Sequence, residues 1–231
     1  MTGQAELREL FSRISPKYDK MNNILSLGRH GTWKSELADA VYEHGGGISL
    51  DVCCGTGDVA LMLAQLPNIT RIIGLDFCDE MLDVARSRAE YLGMPRDGTE
   101  PEFIKGDAYD LPFKDECFDV VAISFGLYTA LSPPDIIREI KRVLKPGGLI
   151  ACLDAARPVK LRSHFAFHLR TALIKLFAGP LRRDFEFLEE KKNLFYTPDE
   201  LDIMLDQLGF KGVVSKSSWF VPASLHLGVK L

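Results

Sequence analysis

Short apolar runs that end on glycine or an acidic residue recur along the first two thirds of the chain, and the segments between them carry apolar positions at helical spacing. Ile48–Cys53 predicts a buried strand that stops at a glycine cluster, and Leu61–Leu66 continues as a helix. Arg71–Asp76 predicts a second strand. The helix after it, Asp79 to Leu92, keeps Met81, Leu82, Ala85, Ala89 and Leu92 on one face. Phe103-Ile104 opens a short third strand and Phe118–Phe125 forms a fourth. Pro133–Val143 is helical and is ended by Lys145-Pro146-Gly147-Gly148, after which Leu149–Leu153 reads as a fifth strand. Buried strands alternating with helices imply a parallel sheet covered on both faces.

After Asp154 the rhythm changes. Residues 155–196 hold no strand pattern and read as helical, basic and aromatic. Strand patterns return at Gly212–Ser217 and Ser224–Val229, beyond a helix at Pro198–Leu208, and the loop between them predicts an antiparallel pair at the sheet edge. The expected architecture is one doubly wound α/β domain of seven strands, mostly parallel, with an antiparallel C-terminal edge strand. Its parts are a helical segment 1–45, a core 46–154, a helical cap 155–197 and a closing helix and strands 198–231. A chain of 231 residues fits one such domain.

Composition narrows the function. The net charge of -4 argues against a nucleic-acid partner. The five cysteines (Cys53, Cys54, Cys78, Cys117 and Cys152) form no C-x-x-C pair, and most fall in apolar runs. They read as small buried hydrophobes in a reducing compartment, with no zinc or disulfide framework and no metal site. Residues 1–8 lack the apolar core of a secretory signal, and no window reaches the roughly 18 to 20 apolar residues of a membrane span. The expectation is a soluble, cytoplasmic protein.

The first strand runs into Asp51-Val52-Cys53-Cys54-Gly55-Thr56-Gly57-Asp58. Gly55 and Gly57 let the backbone approach a ligand and turn sharply into the next helix. Asp76 ends the second strand, where a carboxylate accepts from ribose hydroxyls. A nicotinamide or flavin site shares both features, but its fingerprint needs G-x-G-x-x-G, and here Ala60 stands where the third glycine belongs. Asp58 at the helix start repels phosphate. Asp51 and Asp58 instead favour a ligand bearing an ammonium and a sulfonium. Gly106-Asp107-Ala108 follows the third strand, where an Asp and a backbone amide can read the edge of adenine.

With these motifs in place, the chain resembles the class I methyltransferases, and within them the ubiquinone/menaquinone biosynthesis C-methyltransferase family. The resemblance opens at Phe11–Asn23, continues through Leu25–His30 and Trp33-Lys34, and takes in the Asp51–Asp58 motif. Ser124-Phe125-Gly126-Leu127, Arg142–Gly148 and Leu225–Lys230 carry it to the end of the chain. It implies a Rossmann-like methyltransferase fold with S-adenosylmethionine as cofactor and residues 1–45 as a lid. The cofactor cradle so expected is Tyr18, Asp51, Cys53, Gly55, Thr56, Gly57, Asp58, Asp76, Phe77, Met81, Asp107, Ala108 and Ser124. Three positions depart from the family pattern. An Arg-Asn pair lining the active site is Tyr128-Thr129 here, a glutamate ending the fifth strand is Asp154, and the tyrosine-rich cap segment is Phe185–Leu188 followed by a charged run.

The resemblance implies C-methylation of a hydrophobic aromatic or quinone-like small molecule. An O- or N-methyltransferase and a non-catalytic cofactor-binding protein stay open as alternatives. In-line transfer rewards positioning, which is worth up to roughly 7 to 11 kcal/mol, and a carbon nucleophile also needs a base for the ring hydroxyl. Tyr128 and Tyr18 are the catalytic candidates, with His164, His168 and His226 as further proton acceptors. Phe165, Leu169, Leu173, Leu176 and Phe177 form one helical stripe among Arg157, Lys160, Arg162, Arg170, Lys175, Arg182 and Arg183. Two readings of it stand: a cap buried on the substrate pocket, or a face that leans on an anionic membrane. Monomer and homodimer are both open.

Overall fold

The computed structural model describes residues 2–26, 28–94, 98–157, 169, 172, 173, 176, 177, 179–217 and 223–231. Helices α1 (Thr2–Ile14), α2 (Tyr18–Leu25) and α3 (His30–His44) precede the sheet. Then come β1 (Gly47–Val52), α4 (Asp58–Leu63), β2 (Ile69–Asp76), α5 (Asp79–Tyr91), β3 (Pro101–Lys105) and β4 (Phe118–Ser124). Helix α6 (Pro133–Val143) and β5 (Leu144–Ala155) follow. The chain closes with α7 (Arg182–Leu194), α8 (Pro198–Gln207), β6 (Phe210–Ser217) and β7 (Ala223–Lys230).

The strands form one seven-stranded sheet in the order β3-β2-β1-β4-β5-β7-β6. The first five are parallel to their neighbours, while β7 runs antiparallel between β5 and β6. Strand order reverses between β1 and β4, and at such a switch point the loops leaving the two strands diverge and open a crevice. Because successive side chains alternate across a strand, each strand feeds both faces. Leu50, Val52, Val121, Ile123, Ile150 and Cys152 join the core under α1, α5, α6, α7 and α8. Ile72, Val120, Ala122, Ala151 and Leu153 join the one under α3 and α4.

Two element starts differ from the sequence pattern by three residues or more. Helix α4 begins at Asp58, three residues before the expected Leu61, because the Asp51 carboxylate on β1 accepts the Ala60 N–H at 3.0 Å. One of the free N–H groups of that first turn is therefore satisfied from the sheet, which no local pattern reveals. Strand β5 begins at Leu144, where Leu144 already pairs with Phe118 before the register shifts to Val120 opposite Leu149. The five cysteines are unpaired thiols, with Cys54, Cys78 and Cys152 buried. Among the described residues no helix is long and apolar enough to cross a membrane.

The described positions of the aromatic stripe, Leu169, Leu173, Leu176 and Phe177, are helical, and Leu169, Leu176 and Phe177 are exposed. Phe165, Lys160, Arg162, Arg170 and Lys175 lie outside the described residues, as do His164 and His168.

Helix α8 starts with a capping box. Thr197 Oγ1 accepts the Glu200 N–H and the Glu200 carboxylate accepts the Thr197 N–H at 2.8 Å. Replacing Thr197 with Ala removes one of these acceptors and is expected to cost about 1 kcal/mol. Urea unfolding checks this: the midpoint should fall with the slope unchanged, and an unmoved midpoint would mean that packing alone fixes this helix end.

Candidate functional site

The turn after β1 has an unusual backbone. Cys53, Gly55 and Gly57 all take positive φ, of 57°, 55° and 82°. At Gly57 a Cβ would also stand 2.9 Å from the Ala85 methyl and 3.0 Å from the Phe103 ring, so only glycine fits there. Gly55 differs: nothing lies within 4 Å of where its Cβ would be, so its face of the turn is open.

Two strand-end carboxylates hold this turn. Asp76 accepts the Gly55 N–H at 2.8 Å and the Cys78 N–H at 2.9 Å, fixing the turns after β1 and β2 together. Burial pushes the Asp76 carboxyl up, against the pull of the Cys78, Gly55 and Phe77 amides. Asp51 is fully buried on the α3/α4 side, and its Oδ1 has no hydrogen-bond partner among the described residues. Its burial raises the carboxyl to about 7, despite the Ala60 amide and the charge of Lys34.

Asp58 is differently placed. Lys34 Nζ donates to it at 2.7 Å and Arg88 pairs with its other oxygen. Burial alone would raise this carboxyl, but the two cations overrule it and hold it at about 2. Arg88 also reaches Asp19 and the Thr56 carbonyl, while Thr56 Oγ1 donates to Asp19 at 2.7 Å. The charge read as free for a ligand's ammonium is thus already paired, and the network ties α2, α3 and α5 to the glycine turn.

The crevice opens between the turn after β1 and the loop after β4. Its walls include Cys53, Asp76, Phe77, Asp107, Ala108, Gly126 and Thr129, and α1 closes it with Gln4 and Leu7. Gln4 Nε2 donates to Asp107 Oδ2 at 2.9 Å, and Asp107 Oδ1 accepts the Tyr109 N–H. The Tyr109 hydroxyl oxygen accepts the N–H groups of Leu131 and Ser132, bracing the outer wall. Phe11 meets Tyr18 and Phe77 edge to face, each at 6.1 Å.

Of the expected cofactor residues, Cys53, Asp76, Phe77, Asp107 and Ala108 reach the crevice together. Thr56 and Met81 are buried behind it, Met81 in the core and Thr56 in the ion network. Ser124 ends β4 beside the crevice. Tyr18 is half-buried in the core, and burial raises its phenol further above the ordinary range. Tyr128 stands on the single 3-10 turn Leu127–Thr129 and is buried in the cluster that holds Phe185 and Leu188 of α7, while its neighbour Thr129 takes the wall. His226 is wholly buried on β7, held between Ser224 Oγ and Asp202 Oδ1 at 2.6 Å each. Asp154, also wholly buried, accepts the Leu127 N–H at 2.7 Å.

Sequence reasoning missed Gln4, Tyr109, Lys34 and Arg88. Lys34 carried a readable signal, since it sits on the buried stripe of α3 with Trp33, Leu37, Ala38 and Val41.

The residues present fit a nucleoside with a positive charge. Acidic oxygens line one wall, apolar side chains the other, and Asp51 keeps a buried oxygen without a partner. This fold is that of methyltransferases. Over 99% of this chain and all of the other, it matches magnesium protoporphyrin IX methyltransferase from Synechocystis, solved with S-adenosylhomocysteine bound: the coverage of that chain is 100%, the TM-score 0.70 and the identity 17%. A methyltransferase from Thermotoga maritima matches over 96% of this chain and 99% of that one, with a TM-score of 0.68 and 19% identity.

The chain belongs to the ubiE/COQ5 methyltransferase family, whose model matches residues 1–230. It is 34% identical to the demethylmenaquinone methyltransferase of Lactobacillus johnsonii, over 98% of this chain and 93% of that protein. It is also 34% identical to that of Bacillus cereus strain B4264, over 98% and 96%. It is an S-adenosylmethionine-dependent methyltransferase.

Asp51 sets a pH dependence. Its carboxyl lies near 7 in the fold against an ordinary 3.8, so between these values the folded state keeps a proton that the unfolded chain has released. Stability therefore falls as pH rises from about 4 to about 7, by on the order of 4 kcal/mol for this group. Replacing Asp51 with Asn should flatten the difference between urea unfolding at the two ends of that window. An identical pH profile in wild type and variant would show that Asp51 is ionised in the fold throughout.

Proposed function

We propose that this enzyme transfers a methyl group to a ring carbon of a demethylated quinone, in its reduced form, bearing a hydrophobic tail. The reading is carried by end-to-end similarity to demethylmenaquinone methyltransferases. An apolar outer wall of Thr129, Ala130, Leu131 and Ile136 supports it.

In this reading Asp76 accepts from the ribose hydroxyls, and Asp107 with the Ala108 amide meets the adenine edge. Gly55 and Gly57 let the chain pass close to the cofactor, with Cys53, Thr56, Phe77, Met81 and Ser124 shaping the space around it. The bound cofactor supplies an electrophilic methyl group. The chain's own work is to hold the acceptor carbon in line with it and to exclude water, with α1 across the mouth. Gln4 must then leave Asp107 or share it. Tyr18 keeps its proton and serves as a hydrogen-bond donor that orders the cofactor. Proton handling at the acceptor falls to the Tyr128 hydroxyl, which must first turn out of the buried cluster behind the Thr129 wall.

A tailed quinone also needs a way in from the membrane. Leu176 and Phe177 are 72% and 56% exposed, and the exposed Arg182 and Arg183 follow a few residues along the chain, a composition suited to an anionic bilayer surface.

Incubation with S-adenosylmethionine and a reduced demethylated naphthoquinone, followed by mass and NMR analysis, tests the reading. The expected product carries its new methyl group on the ring carbon. A methyl ether would move the enzyme to the O-methyltransferases, and no product from a protein that binds the cofactor would support a non-catalytic role. Replacing Tyr128 with Phe is expected to lower kcat by roughly 100-fold or more with cofactor affinity unchanged. Equal turnover would reduce Tyr128 to packing. Co-sedimentation with vesicles should be seen with anionic but not neutral lipid and should weaken when Arg182 and Arg183 become Gln; equal binding to both vesicle types would sink the membrane contact.

A further inference from the structure

Lys34 stands where a helix normally buries a hydrophobe. Its side chain is 11% exposed, and its residue shares the inward face of α3 with Trp33, Leu37 and Ala38. A buried ammonium is costly unless its three N–H groups are met. Among the described residues only Asp58 receives a hydrogen bond from it, at 2.7 Å. Asp58 does not depend on it for neutralisation, because Arg88 pairs with the other Asp58 oxygen. Donor capacity is therefore left over on Lys34.

A matching surplus lies nearby on the other side of the same turn. Asp51, on the strand that leads into Cys53–Gly57, has an oxygen without a partner although it is wholly buried. Lys34, bonded to the first residue of the helix that leads out, is close enough for its charge to act on Asp51. Gly55, in the turn that links that strand to that helix, has open space where a side chain would stand. An unsatisfied buried acceptor at the entry of one turn and an under-used buried ammonium at its exit are complementary to a zwitterion, with its ammonium toward Asp51 and its carboxylate toward Lys34.

We propose that Lys34 is a specificity residue that receives the α-carboxylate of the cofactor's amino-acid end. The proposal rests on the placement of S-adenosylmethionine in this crevice. A hydrogen bond between ionised partners in a water-poor site is worth about 10- to 100-fold in affinity. The enzyme therefore prefers a ligand that carries the carboxylate over one that lacks only that group. Because the ammonium is common to both ligands, the contribution of Asp51 cancels in the comparison.

Calorimetric titration of the full chain with S-adenosylmethionine and with its decarboxylated analogue reads this directly. Wild type should bind S-adenosylmethionine about 10- to 100-fold more tightly. Lys34→Met should bring the two ligands to nearly equal affinity, and Lys34→Arg should restore most of the preference. Lys34→Gln, which keeps a donor for Asp58, serves if the Met variant does not fold, and it should also lose most of the preference. A preference that survives intact in the Met or Gln variant would overturn the proposal. So would an equal loss of affinity for both ligands, which would make Lys34 a structural partner of Asp58. If wild type binds neither ligand, it is the cofactor placement that fails, a result distinct from either of those.

Discussion

The fold's chemistry hangs on two carboxylates at the ends of adjacent strands gripping one backbone turn. Asp76 on β2 takes the amide of Gly55 in the turn after β1, and Asp51 on β1 takes the amide of Ala60 in the helix that follows. Without these acceptors the turn would leave buried N–H groups unpaired at a point where Cys53 already occupies the left-handed region that is costly for a residue with a side chain. The carboxylates are themselves expensive to bury, and both are pushed toward protonation. A sheet end that stores unfavourable negative charge is suited to a positively charged ligand, whose arrival lowers the cost that the fold carries alone.

The same logic explains why the N-terminal helices lie where they do. They bring cations and hydrogen bonds to an acidic rim: Lys34 to Asp58, Arg8 to Asp79, and Gln4 to Asp107. Asp19 then closes the circuit through Thr56 and Arg88. Exposed pairs such as Arg8 with Asp79 contribute little singly. Lys34 with Asp58 is shielded from water, and Arg88 shares the same carboxylate, so this end is held by a network and not by a single pair. The helices are thus anchored hard near the glycine turn and lightly near the mouth, the gradient expected of a cover that must admit a ligand while staying attached.

Most of the sheet could be read from the chain because buried parallel strands are nearly continuous apolar runs. Leu50, Val52, Ile72, Ile73 and Leu75 announce themselves whatever they pack against. The parts that could not be read depend on partners distant in sequence. Asp58 at a helix start looks like a free anion, and only the fold brings Lys34 from 24 residues away to pair with it. Tyr128 looks like a mouth residue because it follows β4, yet one step of a 3-10 turn exchanges its place with Thr129. His226 looks like a spare base, whereas Ser224 and Asp202 occupy both its nitrogens.

That last arrangement bears on how the acceptor side is built. Ser224 stands opposite Asp154 in the β5–β7 ladder, and Asp154 fixes the Leu127 amide and with it the turn that carries Tyr128 and Thr129. Through His226 and Asp202 the same ladder is joined to α8. Tyr128, Thr129 and Asp154 are therefore one packed unit. A change at 128 or 129 alters how the turn fills the space under α7, and any residue at 154 must still reach the Leu127 amide. Substitution at one of these sites alone would leave a gap or an unpaired buried group.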